Sequence, residues 1–320
     1  MGSLIGGLLA RAGEDVTLVA RPAHAEAVRA SGLRIHGILG ELTIEVRATS
    51  ALDFRPDLIL LAMKTQDVEA ACRSLSPHIQ GVPVITLQNG VRSDNIAASV
   101  LPRGDIVSGI VLFNAQYLRP GEITYARGGP LVIGEAFGRN GLRVRDIRTR
   151  LSRAVRTEIS DDIQDAHWTK LLINNVANGL EAMCGLSVRD CLHHSGLREI
   201  GALALREGYQ TIRLANIRLA PLPGVPLPVL KFIALGPLAI ASRVLSLSMG
   251  SLRTLSSTLQ SLRRGRPTEI EYLNGEIVRL GHQVGMATPF NSKIVDVVRE
   301  VERNQQFYRP DDLVRRFIPC

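Results

Sequence analysis

The 320-residue sequence predicts two domains, an α/β domain over residues 1–157 and an all-helical domain over residues 158–320. Runs of strand length alternate with runs of helical period through the first half, and the strand signals stop after about Ile159. The later runs all have helical length and period. Strands separated by helices imply right-handed crossovers, so the first domain should contain a parallel sheet.

Hydrophobic periodicity and turn residues place the individual elements. In the first half we predict, in order, a helix over residues 4–12, a strand over 15–20, a helix over 23–31, short β-type runs over 33–36 and 42–46, a strand over 57–63, a helix over 65–79, a strand over 83–88 and a short helix from Ser93. Hairpin-like runs over residues 106–134 are interpreted as the antiparallel edge of the same sheet. In the second half we predict helices over residues 161–184, 197–214, 251–262, 268–284 and 291–305.

The net charge of +8 favours anionic partners. The Arg residues of the chain are scattered over both halves, and aromatic residues make up only 4% of it. Nucleic-acid binders more often show a basic block or stacking aromatic residues. We therefore expect small anionic ligands, such as a phosphorylated cofactor and a carboxylate substrate, and no nucleic acid.

Cysteine usage and hydropathy bear on the compartment. The four cysteines show no CxxC pair and no regular spacing, which predicts neither a zinc site nor a disulfide framework; they are Cys72, Cys184, Cys191 and Cys320. The N-terminus lacks the features of a signal peptide, and the most apolar stretch, residues 225–247, is broken by prolines and two basic residues. We expect a cytoplasmic protein without a membrane span.

The chain opens on Met1-Gly2-Ser3, which runs straight into a helix rich in small residues. In a doubly wound fold such a helix follows a strand and a glycine-rich turn that holds a pyrophosphate. Gly2 is then the last glycine of a G-x-G-x-x-G fingerprint whose first strand and first five positions are missing, and we expect a misplaced start in the sequence. The alternative is an ordinary N-terminal helix. For this segment taken alone, that alternative is favoured.

Polar residues follow the predicted strands at the end where open α/β sheets bind ligands. Arg21 stands at the end of the second strand of the motif, where an acidic residue would suit NAD and an Arg suits the 2′-phosphate of NADP. Lys64 and Asn89 each come directly after an apolar strand. Asn89-Gly90 is also a common turn pair, so a ligand site and a plain turn are both open for Asn89.

Two segments of the helical half carry candidate chemistry. Lys170, Asn174 and Asn178 recur at i, i+4 and i+8 and form one stripe of an otherwise apolar helix, which favours a site over a solvated face because buried amides need partners. Glu269 lies in a second segment, in which Thr268 and Glu271 have the spacing of a capping box. A solvated first-turn acid remains an alternative for Glu269.

These residues together resemble the 2-dehydropantoate 2-reductases (ketopantoate reductases), and the similarity covers essentially the whole chain. It is carried by an ordered set of motifs: MGS, Arg21, LLAMK, LQNG, PGEITYARGG with VIGE, WTKLLINNVAN, SSTLQSLRRGRPTEIEYLNG and GMATPFN. The resemblance implies a Rossmann-like dinucleotide-binding domain, its first strand missing here, followed by a helical catalytic domain. It also implies NADPH-dependent reduction of ketopantoate to pantoate in pantothenate synthesis, in a cleft between the domains.

The resemblance further implies the role of each candidate residue. Lys170 is expected to be the general acid that protonates the keto oxygen, and Glu269 to hydrogen-bond the substrate hydroxyl. Asn174, Asn178 and Ser257 are expected to orient the 2-keto acid. Asn89 is expected to lie near both the nicotinamide and the substrate. The cofactor residues are expected to be Gly2, Ser3, Arg21 and Lys64, with Arg21 at the 2′-phosphate and Asn89 also in contact with NADP(H).

Three departures from the family pattern leave alternatives open. The fingerprint strand and its glycines are missing, which would suit a catalytically silent NADP(H)-binding protein. Asn178-Gly179-Leu180-Glu181 replaces the usual N-P-L-T, so that Glu181 either alters the lining of the site or faces solvent. Residues 220–248 form an apolar insertion, interpreted as a lid over a bulkier and more apolar 2-keto acid, a homodimer contact, or a packed helical hairpin.

Overall fold

The computed structural model describes residues 1–250 and 255–318. The chain forms two compact units. The first unit comprises Met1–Gln88 and Arg92–Gln164, and the second comprises Asn89–Val91 and Asp165–Cys320. The three-residue segment around Gly90 is therefore part of the helical unit although it follows a strand of the α/β unit.

The elements of the first unit follow the predicted order closely. They are α1 (Gly2–Arg11), β1 (Thr17–Val19), α2 (Pro22–Ser31), β2 (Leu33–Gly37), β3 (Leu42–Ile44), β4 (Arg47–Thr49), β5 (Ile59–Leu61), α3 (Val68–Leu75), β6 (Val84–Thr86), α4 (Ser93–Ala98), β7 (Ile106–Val111), β8 (Asn114–Arg119), β9 (Glu122–Arg127), β10 (Leu131–Glu135), α5 (Leu142–Leu151) and β11 (Thr157–Ile159). Short 3-10 turns over Thr65–Asp67 and Ser76–His78 flank α3, so the single helix predicted over residues 65–79 is divided into three parts.

A five-stranded sheet of order β11-β10-β7-β6-β5 forms the centre of the first unit. Strands β5, β6 and β7 are parallel, as the alternation of strands and helices predicts. Strand β10 is antiparallel to β7, as predicted, but it is not the edge of the sheet, because β11 lies beyond it and pairs with it in parallel.

The prediction is wrong for β8 and β9, which lie in a separate four-stranded sheet of order β3-β2-β9-β8. Charge pairing explains the choice of partner for β9. Glu122, at the start of β9, is buried. Its carboxylate forms ion pairs with the guanidinium of Arg34 in β2, at 2.8 Å, and with that of Arg119 in β8, at 2.7 Å. Opposite charges on neighbouring strands favour this register. Arg119 is only three residues from Glu122, but Arg34 is far from it in sequence.

Helix α1 packs closely enough on β1 to explain its small residues. A Cβ atom on Gly6 would lie 2.5 Å from Leu18 Cδ2, while Leu4 and Ile5 are fully buried. Strand β1 pairs in parallel with β4 in a sheet of its own. Over the described residues, β5 pairs with β6 and no strand joins β1 to β5.

The second unit is helical in its described part. Its elements are α6 (Ile163–Cys184), α7 (Val188–His193), α8 (Ser195–Leu214), α9 (Leu227–Leu235), α10 (Leu238–Met249), α11 (Ser257–Leu262), α12 (Asn274–Val284), α13 (Pro289–Asn304) and α14 (Pro310–Phe317). Helix α6 contributes fully buried apolar side chains to the core, among them Leu171, Leu172 and Val176. The helix predicted over residues 251–262 begins at Ser257, and residues 251–254 lie outside the described part. The helix predicted over residues 268–284 begins only at Asn274, after a 3-10 turn over Ile270–Tyr272.

The apolar insertion forms a packed helical hairpin, α9 and α10, which was one of the three interpretations. Its inner face is buried through Leu230, Ile233 and Leu245. Arg206 of α8 donates to the Ala234 carbonyl oxygen at 3.0 Å and to the Gly236 carbonyl oxygen at 2.5 Å, which satisfies the open end of α9. Within residues 1–250 and 255–318, no helix combines the length and apolar character that crossing a bilayer requires.

Two of the irregularly spaced cysteines meet in the second unit. The Sγ atoms of Cys184, at the end of α6, and Cys191, in α7, lie 3.1 Å apart, and both are buried free thiols. Cys72 is buried alone in the first unit, and Cys320 lies outside the described residues. Sequence spacing alone does not indicate this contact, because it depends on the turn between the two helices.

Candidate active site

Gly2 and Ser3, the predicted cofactor residues at the N-terminus, are in close contact with other residues of the first unit. Gly2 is the first residue of α1, and a Cβ atom there would lie 3.0 Å from the Cβ of Ala62, directly after β5. Close helix–strand approach is the role of the third glycine in dinucleotide fingerprints. Ser3, the next residue, places its Oγ 3.0 Å from His24 Nε2. Packing thus holds Gly2, and a hydrogen bond holds Ser3.

His24 is a residue of this region that the sequence analysis missed. Its Nδ1 accepts a hydrogen bond from the Gly121 N–H at 3.1 Å, so in the neutral ring the proton is on Nε2, which donates to Ser3 Oγ. The imidazole therefore ties α1 and α2 to the turn between β8 and β9. Burial lowers the pKa of His24 below its ordinary value of 6.5, which keeps the ring neutral. Its partner Gly121 is 97 residues away in sequence, so no local pattern indicates it.

We expect the stability of the protein to fall below about pH 6.5 because of His24. Its pKa is lower in the folded than in the unfolded chain, so the unfolded chain binds the proton first as the pH drops. One such proton changes the free energy of unfolding by at most about 1.4 kcal/mol per pH unit. Urea unfolding at a series of pH values measures the slope.

His24→Gln should reduce this slope, whereas His78→Gln, at an exposed histidine, should leave it unchanged. A slope in His24→Gln equal to that of the wild type would contradict the assignment.

Arg21 and Lys64 stand at the ends of their strands, as predicted. Arg21 is exposed and is the N-cap residue of α2, followed by Pro22 in the first turn. Lys64 is half-buried and opens the 3-10 turn after β5, with its carbonyl oxygen accepting from the Asp67 N–H at 2.9 Å. Gln88 holds this strand end, since its Nε2 donates to the Leu61 carbonyl oxygen at 2.9 Å and to the Met63 carbonyl oxygen at 3.1 Å.

The polar stripe on α6 is not a solvated face. Lys170 and Asn174 are half-buried, and Asn178 is buried. Asn174 Nδ2 lies 3.5 Å from Asn89 Oδ1, and Asn178 Nδ2 donates to the Asn174 carbonyl oxygen at 3.1 Å. Asn178 Oδ1 accepts from Thr258 Oγ1 at 2.8 Å, with Ser257 Oγ at 3.4 Å. The second unit thus brings together four predicted substrate residues, namely Asn89, Asn174, Asn178 and Ser257.

Glu269 is buried, which rules out the solvated first-turn acid. It directly precedes the 3-10 turn over Ile270–Tyr272. The capping-box alternative is also wrong. The Thr268 N–H, which Glu271 would have to bind, donates to Glu302 Oε1 of α13 at 2.7 Å, and Glu271 pairs with the Arg299 guanidinium at 2.5 Å. The competing ion pair comes from α13 and is a tertiary contact.

Gly90 connects the Asn89 segment to the Glu269 segment. Its φ of +93° suits glycine, and a Cβ atom there would lie 2.6 Å from the Tyr272 carbonyl oxygen. Asn89-Gly90 forms a bend, and Asn89 lies beside Asn174, so its place among predicted site residues is compatible with the ligand-site prediction for Asn89. Any side chain at position 90 must displace one of the two segments.

Gly90→Ala should raise the KM for the substrate by roughly tenfold, since loss of a single positioning hydrogen bond has an effect of that order. Steady-state kinetics check this expectation. Gly81→Ala is the matched control, because Gly81 also has a positive φ, +69°, but a Cβ atom there meets nothing within 4 Å. Equal effects of the two substitutions would show that backbone strain, and not the contact with Tyr272, is responsible.

The residues that depart from the family pattern in α6 have defined surroundings. Glu181 neither lines a site nor faces solvent; it is 1% exposed and accepts from the Val188 N–H at 2.8 Å and the Ser256 N–H at 2.6 Å. A Cβ atom on Gly179 would lie 2.9 Å from Ile294 Cγ2, so this position has no room for a proline ring. The contacts of Glu181 with Ser256 and of Gly179 with Ile294 join residues distant in sequence.

Chemically, the second unit combines an ammonium group with amide and hydroxyl groups. One helix carries the Lys170 ammonium and the amides of Asn174 and Asn178 at successive turns, and the Asn89 amide and Ser257 hydroxyl join them. An ammonium and amide N–H groups suit a substrate that carries a carboxylate and develops negative charge on oxygen. The buried Glu269 carboxylate can accept a hydrogen bond from a hydroxyl.

Comparison with known proteins shows that both parts of the chain are similar to ketopantoate reductases. Residues 1–138 match the family model described as ketopantoate reductase PanE/ApbA, and residues 162–302 match the model for its C-terminal part. The chain is 30% identical to 2-dehydropantoate 2-reductase of Archaeoglobus fulgidus over 94% of this chain and 95% of the relative. A PanE/ApbA family ketopantoate reductase structure from Ralstonia eutropha has a TM-score of 0.80 at 29% identity, covering 95% of this chain and 97% of that one. D-mandelate dehydrogenase with NADH and anilino(oxo)acetate shares the fold, with a TM-score of 0.83 at 22% identity and coverage of 95% and 96%.

Proposed function

The chain belongs to the ketopantoate reductase family of oxidoreductases, and on that premise we propose that it reduces 2-dehydropantoate to pantoate with NADPH, a step of pantothenate synthesis. In this proposal residues 1–157 form the NADP-binding domain and residues 158–320 the catalytic domain. The observation that carries it is the cluster of Asn89, Asn174, Asn178 and Ser257 next to Lys170 on α6. A protein that only binds a dinucleotide has no need of that set.

The residues of the first unit suit a dinucleotide phosphate. The α1 N-terminus begins at Gly2, where a Cβ atom would lie 3.0 Å from the Cβ of Ala62, and helix N-termini favour anions. Arg21 presents an exposed guanidinium at the N-terminus of the ten-residue helix α2, a geometry suited to a phosphate monoester. We assign Gly2 and Ser3 to the pyrophosphate, Arg21 to the 2′-phosphate, and Lys64 and Asn89 to the remaining contacts with NADPH.

The residues of the second unit supply the proton and the orientation. When bound, NADPH supplies a hydride to the keto carbon. Lys170 stabilises the negative charge that develops on the keto oxygen and donates a proton to it. Asn174, Asn178 and Ser257 orient the 2-keto acid, and Glu269 accepts a hydrogen bond from its hydroxyl group.

The test is NADPH oxidation with 2-dehydropantoate and with a larger, apolar 2-keto acid such as phenylglyoxylate. The expected result is faster turnover of 2-dehydropantoate, with little activity when NADH replaces NADPH. A preference for phenylglyoxylate would make the protein a reductase of a bulkier 2-keto acid. Binding of NADPH without turnover of any 2-keto acid would refute the proposed activity.

A further inference from the structure

We propose that Glu181 is a positioning residue that sets the place of the Ser257 hydroxyl at the substrate. The inference rests on the proposed function, because it assigns Ser257 to substrate binding. Glu181 does not itself reach the substrate in this proposal. It acts through Ser256, the residue that directly precedes α11.

Glu181 lies between the starts of two helices. It follows Asn178 by three residues on α6, so that both side chains leave the same face of the helix. Its Oε2 accepts from the Ser256 N–H at 2.6 Å, and its Oε1 accepts from the Val188 N–H at 2.8 Å. Ser256 is the N-cap residue of α11, and Val188 is the first residue of α7.

The Ser257 hydroxyl depends on this contact because α11 has little stability of its own. The helix has six residues, too few to be stable in isolation. Two side chains of α6 hold its first turn. Glu181 binds the Ser256 N–H, and Asn178 Oδ1 accepts from Thr258 Oγ1 at 2.8 Å beside Ser257 Oγ at 3.4 Å.

A carboxylate suits this position better than any neutral side chain. Two N–H donors from separate parts of the chain need two acceptor oxygens, and Glu181 is 1% exposed, so water cannot replace either one. A glutamine has one acceptor oxygen and would turn its NH₂ group toward the second N–H. Replacement by glutamine should therefore release one of the two segments.

The experiment compares steady-state kinetics of Glu181→Gln with the wild type. The expected result is a roughly tenfold rise in the KM for the 2-keto acid, with the KM for NADPH unchanged. The KM for NADPH should not change because Glu181 binds Val188 and Ser256, whereas four of the five proposed cofactor residues lie in the other compact unit, namely Gly2, Ser3, Arg21 and Lys64. An unchanged KM for the 2-keto acid, or an equal rise in both constants, would overturn the inference.

Glu207→Gln is the matched control. Glu207 is also a buried glutamate of the second unit, and it accepts from the Phe290 N–H at 2.8 Å and the Asn291 N–H at 2.9 Å at the start of α13. Its replacement should lower the thermal midpoint as Glu181→Gln does while leaving the KM for the 2-keto acid unchanged. Equal KM effects of both variants would mean that Glu181 acts only through general stability.

A double-mutant cycle with Ser257→Ala separates positioning from other roles. Once the hydroxyl is removed, Glu181→Gln should raise the KM no further, and additive effects would overturn the inference. If Glu181→Gln does not fold, Glu181→Asp keeps both acceptor oxygens and should raise the KM by a smaller factor; no change would count against the proposal. A wild-type protein inactive toward every 2-keto acid refutes the proposed function, whereas an active wild type with an unaltered Glu181→Gln variant refutes only this inference.

Discussion

Lys170→Ala is expected to lower kcat by roughly a thousandfold while changing the affinity for NADPH little, because general acid catalysis contributes about 10²- to 10⁴-fold. Lys170 stands one helical turn before Asn174, which holds Asn89, so its ammonium starts the row of polar groups on α6. Removing it takes away both the proton and the charge that stabilises the developing alkoxide. Single-turnover NADPH oxidation measures the chemical step, and fluorescence titration measures cofactor binding.

The control for Lys170→Ala is Lys231→Ala, at an exposed lysine of α9 that changes the net charge equally. Lys231→Ala should leave kcat unchanged. Equal losses of turnover and of NADPH affinity in Lys170→Ala would contradict the general-acid role and place Lys170 among the cofactor residues.

Arg21→Asp is expected to weaken NADPH binding by about a hundredfold, because charge-assisted hydrogen bonds to a phosphate contribute roughly 1.5–3 kcal/mol. The new carboxylate also repels the 2′-phosphate, and it can accept from the 2′-hydroxyl of NADH. NADH binding should therefore be spared. Dissociation constants for both dinucleotides, measured at one ionic strength, give the change in preference.

Arg29→Asp reproduces the change of net charge on the same helix, at an exposed position in the last turn of α2. It should leave the preference for NADPH over NADH unchanged. An unaltered preference in Arg21→Asp would remove the 2′-phosphate assignment, and an equal shift in both variants would point to the overall field of the protein.

Local pattern predicts the order and type of the elements well and predicts their partners poorly. The apolar runs that became β5 and β6 are visible in sequence because strands buried in a parallel sheet read as continuous hydrophobic segments. The pairing of β9 with β2 is not visible, since Glu122 meets Arg34 across a long stretch of chain. The prediction omits β11 and α5, although the buried residues of α5, Val144, Ile147 and Leu151, have helical spacing.

The candidate site divides in the same way. The stripe of Lys170, Asn174 and Asn178 follows from helical period alone. The surroundings of Glu181 and His24 depend on partners 75 and 97 residues away, so their burial could not be inferred from neighbours in sequence. The capping-box alternative at Thr268 is wrong for the same reason, because Glu302 of α13 accepts from the Thr268 N–H.

The close contact at Gly179 bears on how the protein folds. A glycine inside a helix disfavours that helix by about 0.5–1 kcal/mol relative to alanine, so Gly179 weakens the C-terminal half of α6 when this helix stands alone. The absence of a side chain at Gly179 also lets Ile294 of α13 pack closely, since a Cβ atom there would lie 2.9 Å from Ile294 Cγ2. We therefore expect α6 to become ordered together with α13, which makes the amide row of the site a late product of cooperative assembly. Amide hydrogen exchange should show equal protection for the two helices.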